Sequence, residues 1–202
     1  MDLDHALLHL KGDDKLKSVI EIAIPPQFQP SENVYFDLLD SVVSQQLSIK
    51  VARVIFNRFC ALFPDNYPHP ELVLQLQPEQ LRLVGLSGQK ASYLQNIALF
   101  ALDNKLEEYP WRQKTDEEII QFLTTIKGVG RWTVQMMLMF TLGRPDVFPT
   151  DDLGIQQSMS ALYGLDAKGS VLKKHMESIA EPWKPYRSVA SWYLWRWKEN
   201  KL

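Results

Sequence analysis

Helical periodicity runs through almost the whole chain and constrains its fold more than any other feature of the sequence. Apolar residues recur at helical spacing in about ten short segments, which are separated by Pro, Gly and polar clusters. The segment from Asp13 to Ile24, for example, places Leu16, Val19 and Ile20 on one face. Thr115 and Glu118 have the spacing of a capping box at the start of another helix. A further helix is predicted from Arg131 to Leu142 and is apolar nearly all round, with Phe140 among its apolar residues. Patterns with the period of a β-strand are scarce. The sequence therefore predicts a compact all-α protein.

The composition is that of an ordinary globular protein, and it excludes several kinds of site. The 202 residues suit one domain or two small lobes that share a core, and 46% of them are hydrophobic. Cys60 is the single cysteine, which excludes an internal disulfide, a cysteine-ligated zinc site and an iron–sulfur cluster. The formal net charge of −2 counts against nucleic-acid binding, although a local basic face is compatible with it.

The ends of the chain and its histidines carry no targeting or metal-binding signal. The first residues lack the basic start and apolar run of a signal peptide, and no segment approaches the length of a membrane span. The four histidines show no grouping that suggests metal ligands. We therefore expect an intracellular protein without a membrane contact or a metal site.

A glycine-rich turn from Ile126 to Trp132 joins two predicted helices, with Gly128 and Gly130 at alternate positions. Glycine can adopt positive φ and leaves backbone amides uncovered. The second helix begins directly after the turn, so its free N–H groups and its dipole could bind a phosphate oxygen. A tight turn without any ligand explains the glycines equally well. A weaker copy of the motif at Gly85–Lys90 is better explained as a turn alone.

Three ordered motifs resemble one protein family. Residues 123–133 resemble the hairpin of the helix-hairpin-helix DNA glycosylase superfamily, and Asp152 follows Trp132 by 20 residues, as the catalytic aspartate of that superfamily does. Residues 183–188, which lead to Trp195, resemble the alkylpurine branch, the 3-methyladenine DNA glycosylase II family. Residues 45–48, 85–87 and 90–91 are also similar to this branch. The resemblance extends from about residue 34 to residue 198.

The resemblance implies a two-lobed helical fold with an active cleft between the lobes. Residues 1–202 would form a single glycosylase domain. One lobe would contain about residues 34–145, and the other the N-terminal helix with about residues 146–202. The implied activity is hydrolytic excision of alkylated purines of the 3-methyladenine and 7-methylguanine class from duplex DNA. The chain is similar to a minimal form of the family that lacks an extra N-terminal β domain.

Asp152 is the candidate catalytic carboxylate under this resemblance. Cleavage of the bond between base and sugar builds positive charge on the deoxyribose, which a fixed carboxylate stabilises. The alternative is that Asp151 or Asp152 caps the helix that begins at Leu153, which is a common use of aspartate. Since one acid suffices as a cap, we expect Asp151 to be the cap and Asp152 to be catalytic.

Four residues are candidates for binding the extruded base. Trp132 occupies the place where strand-cleaving relatives carry a lysine, so the resemblance implies hydrolysis without a Schiff base. Trp195 matches a pocket aromatic whose indole face would attract a cationic purine, although aromatics at helical spacing are usually core residues. Met136 and Leu153 stand where some relatives have tyrosines, which favours a narrower set of lesions.

The resemblance also predicts residues that contact DNA. Gln45 and Gln46 lie in the loop that fills the gap left by an extruded base, and Gln46 is the better match for the wedge. A polar helix end without a role in binding explains the pair equally well. The hairpin contributes Lys127, Gly128, Val129, Gly130 and Arg131. Some of the other basic residues near the motifs, which include Lys50, Lys90 and Arg187, should face phosphate.

The remaining expectations concern partners and alternatives. Double-stranded DNA is the expected partner of a monomer that needs no cofactor, in the bacterial cytoplasm with the nucleoid or in a eukaryotic nucleus. Whether a monovalent cation binds the hairpin carbonyls, as in some relatives, stays open. One alternative is a non-catalytic DNA-binding module, which leaves Asp152 and Trp195 unexplained. The other is a bifunctional glycosylase for oxidised bases, which Trp132 disfavours.

Overall fold

The computed structural model describes residues 2–200, and within that range it contains twelve α-helices and no strand. The all-α prediction is confirmed. The helices are α1 (Leu3–Leu10), α2 (Asp14–Ile20), α3 (Val34–Ser44), α4 (Ile49–Cys60), α5 (Pro70–Gln75), α6 (Pro78–Leu83), α7 (Gly88–Asp103), α8 (Asp116–Leu123), α9 (Arg131–Met136), α10 (Leu153–Tyr163), α11 (Gly169–Ala180) and α12 (Arg187–Asn200). None of them combines the length and hydropathy that a membrane crossing requires.

The chain divides into two compact units. The central unit is Ser31–Met137, and the terminal unit combines Met1–Pro30 with Leu138–Leu202. Residues Met137–Thr141, which follow α9 in the sequence, form a π-helical turn, where the sequence predicted a regular α-helix to Leu142.

The central unit is organised around α7, its longest helix, which packs against α3, α5 and α6. The buried face of α7 includes Ala91, Leu94 and Ala98, and the small alanines let neighbouring helices approach closely. Local signals set the helix ends. Thr115 and Glu118 form the predicted capping box at the start of α8, where each side chain bonds the other residue's backbone N–H.

The terminal unit has its own apolar core, in which α12 packs against α10 and α2. Helix α2 ends at Ile20, four residues before the predicted end at Ile24, and a helix not predicted from the sequence, α1, precedes it. The carboxylate of Asp13 caps α2 and also accepts hydrogen bonds from the Tyr163 hydroxyl and the Trp183 indole. This one side chain therefore fastens an N-terminal helix to residues from the other end of the chain.

Candidate active site

Asp152 lies at the N-terminus of α10, in the terminal unit, and caps that helix. Its Oδ1 accepts a hydrogen bond of 2.8 Å from the backbone N–H of Ile155. The expectation that Asp151 would be the cap is wrong. Asp151 is exposed and forms an ion pair with Lys173 instead. Asp152 has the extended backbone of an N-cap residue, which directs its side chain back onto the first turn. The cap and the candidate catalytic group are therefore the same carboxylate.

Trp195 donates a second hydrogen bond to this carboxylate. Its Nε1 lies 2.8 Å from Asp152 Oδ1, across the 43 residues that separate the two positions in sequence. Hydrogen bonds to a carboxylate are short and strong compared with those between neutral groups. Two donors on one oxygen, from α10 and α12, therefore hold the carboxylate in one orientation. The indole edge is engaged by Asp152, and this role was not predicted from the sequence.

Gly154 makes room for this pair of side chains. A Cβ atom at Gly154 would lie 3.0 Å from Asp152 Oδ1 and 3.0 Å from Trp195 Cδ1, closer than real side chains normally approach. Sequence reasoning missed Gly154. The available signal was a glycine inside the first turn of a helix, where it costs about 1 kcal/mol relative to alanine and so calls for a packing reason.

The loop before Asp152 is fastened to the start of α12. The Ser188 hydroxyl donates to the carbonyl of Arg144 at 2.7 Å and accepts from the N–H of Val147 at 2.9 Å. The Arg187 guanidinium pairs with both carboxylate oxygens of Asp146, at 2.7 and 2.9 Å. Arg187 was a candidate for phosphate contact; the structure gives it this half-buried ion pair. The loop and Trp195 are thus positioned by the same helix.

An aromatic ring packs against Trp195 within the terminal unit. Phe140, on the π-helical turn, has its ring centroid 6.2 Å from that of Trp195, and Phe28 stacks on Phe140 at 6.0 Å. Leu153, a candidate base-binding residue, is 64% exposed beside Asp152 in the sequence. Three of the predicted site residues, Asp152, Leu153 and Trp195, therefore belong to one unit. Phe140 belongs to the same unit, and the sequence predicted no role in the site for it.

The other two candidate base-binding residues lie on α9, in the central unit. Trp132 is in the first turn and is 44% exposed, so it is not a core residue. Met136 is half-buried four residues later, which places both side chains on the same face of the helix.

The two hairpin glycines serve different purposes. Gly128 has φ of +106°, and a Cβ there would lie 2.3 Å from the ring of Tyr93, so the fold itself requires glycine. Gly130 has φ of −96°, caps α9, and would place a Cβ with no atom of the chain within 4 Å. A side chain at Gly130 would therefore project into open space, at a helix start that no side chain caps.

The remaining candidate DNA contacts flank this hairpin in the central unit. Lys127 is exposed and Val129 is buried. The Arg131 guanidinium bonds both carboxylate oxygens of Glu117, and this contact lowers the pKa of Glu117. Gln45 donates from Nε2 to the carbonyl of Gly128 at 3.4 Å, and its exposed neighbour Gln46 has a positive φ of +59°.

No cluster of acidic, His or Cys side chains suited to a metal ion occurs among the residues that the structure describes.

Comparison with known proteins gives a consistent assignment. A family model described as "HhH-GPD superfamily base excision DNA repair protein" matches residues 39–185. DNA-3-methyladenine glycosylase 1 of Schizosaccharomyces pombe is 37% identical over 99% of this chain and 89% of its own length. A solved structure of the S. pombe 3-methyladenine DNA glycosylase in complex with abasic DNA matches with a TM-score of 0.80 and 35% identity, over 98% of this chain and 97% of the other. A DNA-3-methyladenine glycosidase structure from Bacillus halodurans matches with a TM-score of 0.78 and 32% identity, over 94% of this chain and 87% of the other.

The contrast between the two hairpin glycines can be tested with a matched pair of substitutions. Gly128→Ala should lower the free energy of unfolding by about 3 kcal/mol, because it adds positive-φ strain to a clash with Tyr93. Gly130→Ala should change stability by only about 0.5 kcal/mol but weaken binding to duplex DNA about tenfold, since the methyl group would project into the space that a bound phosphate would occupy. Thermal denaturation and fluorescence anisotropy measure the two effects. Unchanged DNA affinity in Gly130→Ala would contradict this account of the hairpin.

Proposed function

This chain belongs to the HhH-GPD superfamily of base excision DNA repair proteins, and we propose on that basis that it is a monofunctional DNA glycosylase. Its substrate would be an alkylated purine of the 3-methyladenine or 7-methylguanine class in duplex DNA. Its products would be the free base and an abasic site. The observation that carries the proposal is the Asp152 carboxylate, held at a helix N-terminus by two N–H donors.

The proposed reaction breaks the bond between C1′ of deoxyribose and the purine nitrogen. The departing base takes the bonding electrons, and an alkylated cationic purine leaves as a neutral molecule. The positive charge then resides on C1′ and the ring oxygen of the sugar, where the Asp152 carboxylate stabilises it. Water adds to C1′ and loses a proton, which completes the hydrolysis. Because water is the only co-reactant, the step needs no cofactor.

The candidate base-binding residues fit a substrate that already carries positive charge. An indole face attracts a cation by an electrostatic contact worth about 0.5–2 kcal/mol, and both Trp132 and Trp195 are partly exposed. Met136 and Leu153 add apolar surface without an aromatic face. We therefore propose a preference for cationic lesions, which are good leaving groups, and a narrower range than that of relatives with tyrosines at these positions.

The hairpin and the turn at Gln45–Gln46 would supply the contacts to DNA. No side chain caps α9, so a phosphate oxygen would bind at its start beside Gly130, and Lys127 adds an exposed cation. The exposed Gln46 would fill the space of the extruded base and bond its former partner. Its action as a monomer on genomic DNA, in a nucleoid or a nucleus, is part of the same proposal.

The decisive substitution is Asp152→Asn, with Asp151→Asn as the matched control. Asparagine preserves the helix cap, so the variant should fold and bind DNA, but it removes the charge that stabilises the sugar cation. Release of 7-methylguanine and 3-methyladenine from duplex DNA should fall by about a hundredfold or more in Asp152→Asn and persist in Asp151→Asn. Base release by Asp152→Asn at the rate of the unsubstituted protein would exclude Asp152 from the chemistry.

The hydrogen bond from Trp195 to Asp152 can be tested by Trp195→Phe. Phenylalanine keeps an aromatic face but cannot donate, so kcat should fall about tenfold while KM changes less. Trp192→Phe is the matched control on the same helix, because Trp192 Nε1 has no hydrogen-bond partner among the described residues. Equal kinetic losses in the two variants would show that packing, rather than the lost donor, matters at Trp195.

The tryptophan at position 132, where strand-cleaving relatives carry a lysine, predicts the outcome of borohydride trapping. Trp132 cannot form a Schiff base, so reduction during turnover should leave no covalent complex with DNA, and the strand should stay intact at the abasic site. Denaturing gel electrophoresis measures both results. A borohydride-dependent covalent complex would contradict hydrolysis by water alone.

A further inference from the structure

Lys90 makes contacts that neither the hairpin nor the chemistry at Asp152 explains. It lies in the first turn of α7, and its ammonium donates to the carbonyls of Val43 at 2.8 Å and Gln45 at 2.7 Å. These carbonyls stand at the C-terminal end of α3, where backbone oxygens lack partners within the helix and the helix dipole is negative. A cation with three donors suits that position. Lys90 is therefore engaged by protein carbonyls, although the sequence offered it as a phosphate contact.

The turn that Lys90 fastens is strained and carries the candidate wedge. Gln46 has a φ of +59°, a left-handed backbone conformation that residues other than glycine rarely adopt unless the surrounding structure imposes it. Its side chain is exposed and makes no hydrogen bond within the part of the chain that the structure describes. The direction in which Gln46 projects is therefore set by the backbone of the turn.

A second contact ties the same turn to the hairpin. Gln45 Nε2 donates to the carbonyl of Gly128 at 3.4 Å, while Gln45 contributes its own carbonyl to Lys90. Gln45 thus connects the hairpin to Lys90 at the start of α7. All of these residues belong to the central unit, whose core α7 organises.

We propose that Lys90 is a positioning residue for extrusion of the base. It holds the Gln45–Gln46 turn in the conformation from which Gln46 can enter the duplex. This inference rests on the proposed function. Two of the three donors of the Lys90 ammonium are used by protein carbonyls, and partial burial lowers its pKa. A lysine that only raised the general affinity for DNA would direct its ammonium to solvent, whereas Lys90 directs it to two backbone carbonyls.

The proposal predicts a defect that depends on base pairing. Extrusion is costly for a paired base and cheaper for an unpaired one. Lys90→Met keeps the length of the side chain but removes its charge and its donors. Single-turnover release of 7-methylguanine paired with cytosine should therefore slow about tenfold, whereas release of the same lesion opposite an abasic site should change by less than about twofold. Lys90→Arg, which retains a cation with several donors, should recover part of the rate on paired DNA.

Two further variants separate positioning from charge and from folding. Lys50→Met removes a cation from the first turn of the neighbouring helix α4 and should affect both substrates by the same factor. Gln45→Met removes the bond to Gly128 without touching Lys90 and should reproduce the pairing-dependent defect at about threefold. It also tests the proposal should Lys90→Met fail to fold, which thermal denaturation reports. Equal slowing on both substrates, or no slowing on either, in the folded variants would overturn the proposal.

An extrusion assay separates failure of this inference from failure of the proposed function. If the unsubstituted protein releases no base from either substrate, the proposed function is wrong. In that case the effect of the Gln45–Gln46 turn on base extrusion is measured with a 2-aminopurine in the bound duplex, because its fluorescence rises when the base unstacks. Lys90→Met should show a smaller rise than the unsubstituted protein at saturating protein concentration. An equal rise in the two proteins would overturn the inference whatever the catalytic result.

Discussion

Two N–H donors converge on one oxygen of the Asp152 carboxylate, and the proposed chemistry depends on that convergence. One donor is the backbone of Ile155 in α10, and the other is the indole of Trp195 in α12. A carboxylate that stabilises charge in a transition state must already be oriented, because reorienting it during the reaction would consume part of the stabilisation. Here the start of one helix and the side chain of another supply that orientation. Gly154 permits it, because any side chain at that position would press on both groups.

Much of the remaining structure can be understood as support for fixed groups on two units. In the terminal unit, Ser188 and the pair formed by Arg187 and Asp146 tie the loop before Asp152 to the helix that carries Trp195. In the central unit, Lys90 and Gln45 fasten the turn that exposes Gln46. In both units a residue near the start of one helix bonds backbone carbonyls of another segment. Such bonds hold a loop in one conformation against a packed helix.

The sequence predicted those features that depend on neighbouring residues and missed those that depend on distant ones. The capping box at Thr115 and Glu118 was correct, because both halves of its signal lie within four residues. The choice of Asp151 as the cap of α10 was wrong, since either acid fits the local pattern and the distinguishing contacts are tertiary: Asp152 is bonded by Trp195, and Asp151 pairs with Lys173. The partners of Trp195 and Lys90 lie more than forty residues away, so no local pattern identifies them. The π-helical turn that carries Phe140 gave no signal, because its residues fit an ordinary apolar helix equally well.

The central claim is that Asp152 stabilises positive charge on the sugar, and binding of a charged mimic tests it without any chemistry. Duplex DNA would carry either a pyrrolidine, whose protonated nitrogen stands in for the sugar cation, or a neutral tetrahydrofuran at one position. Calorimetry should show that the protein binds the cationic analogue about tenfold or more tightly than the neutral one. In Asp152→Asn this preference should vanish while affinity for the neutral analogue is kept. An undiminished preference for the cation in Asp152→Asn would contradict the account.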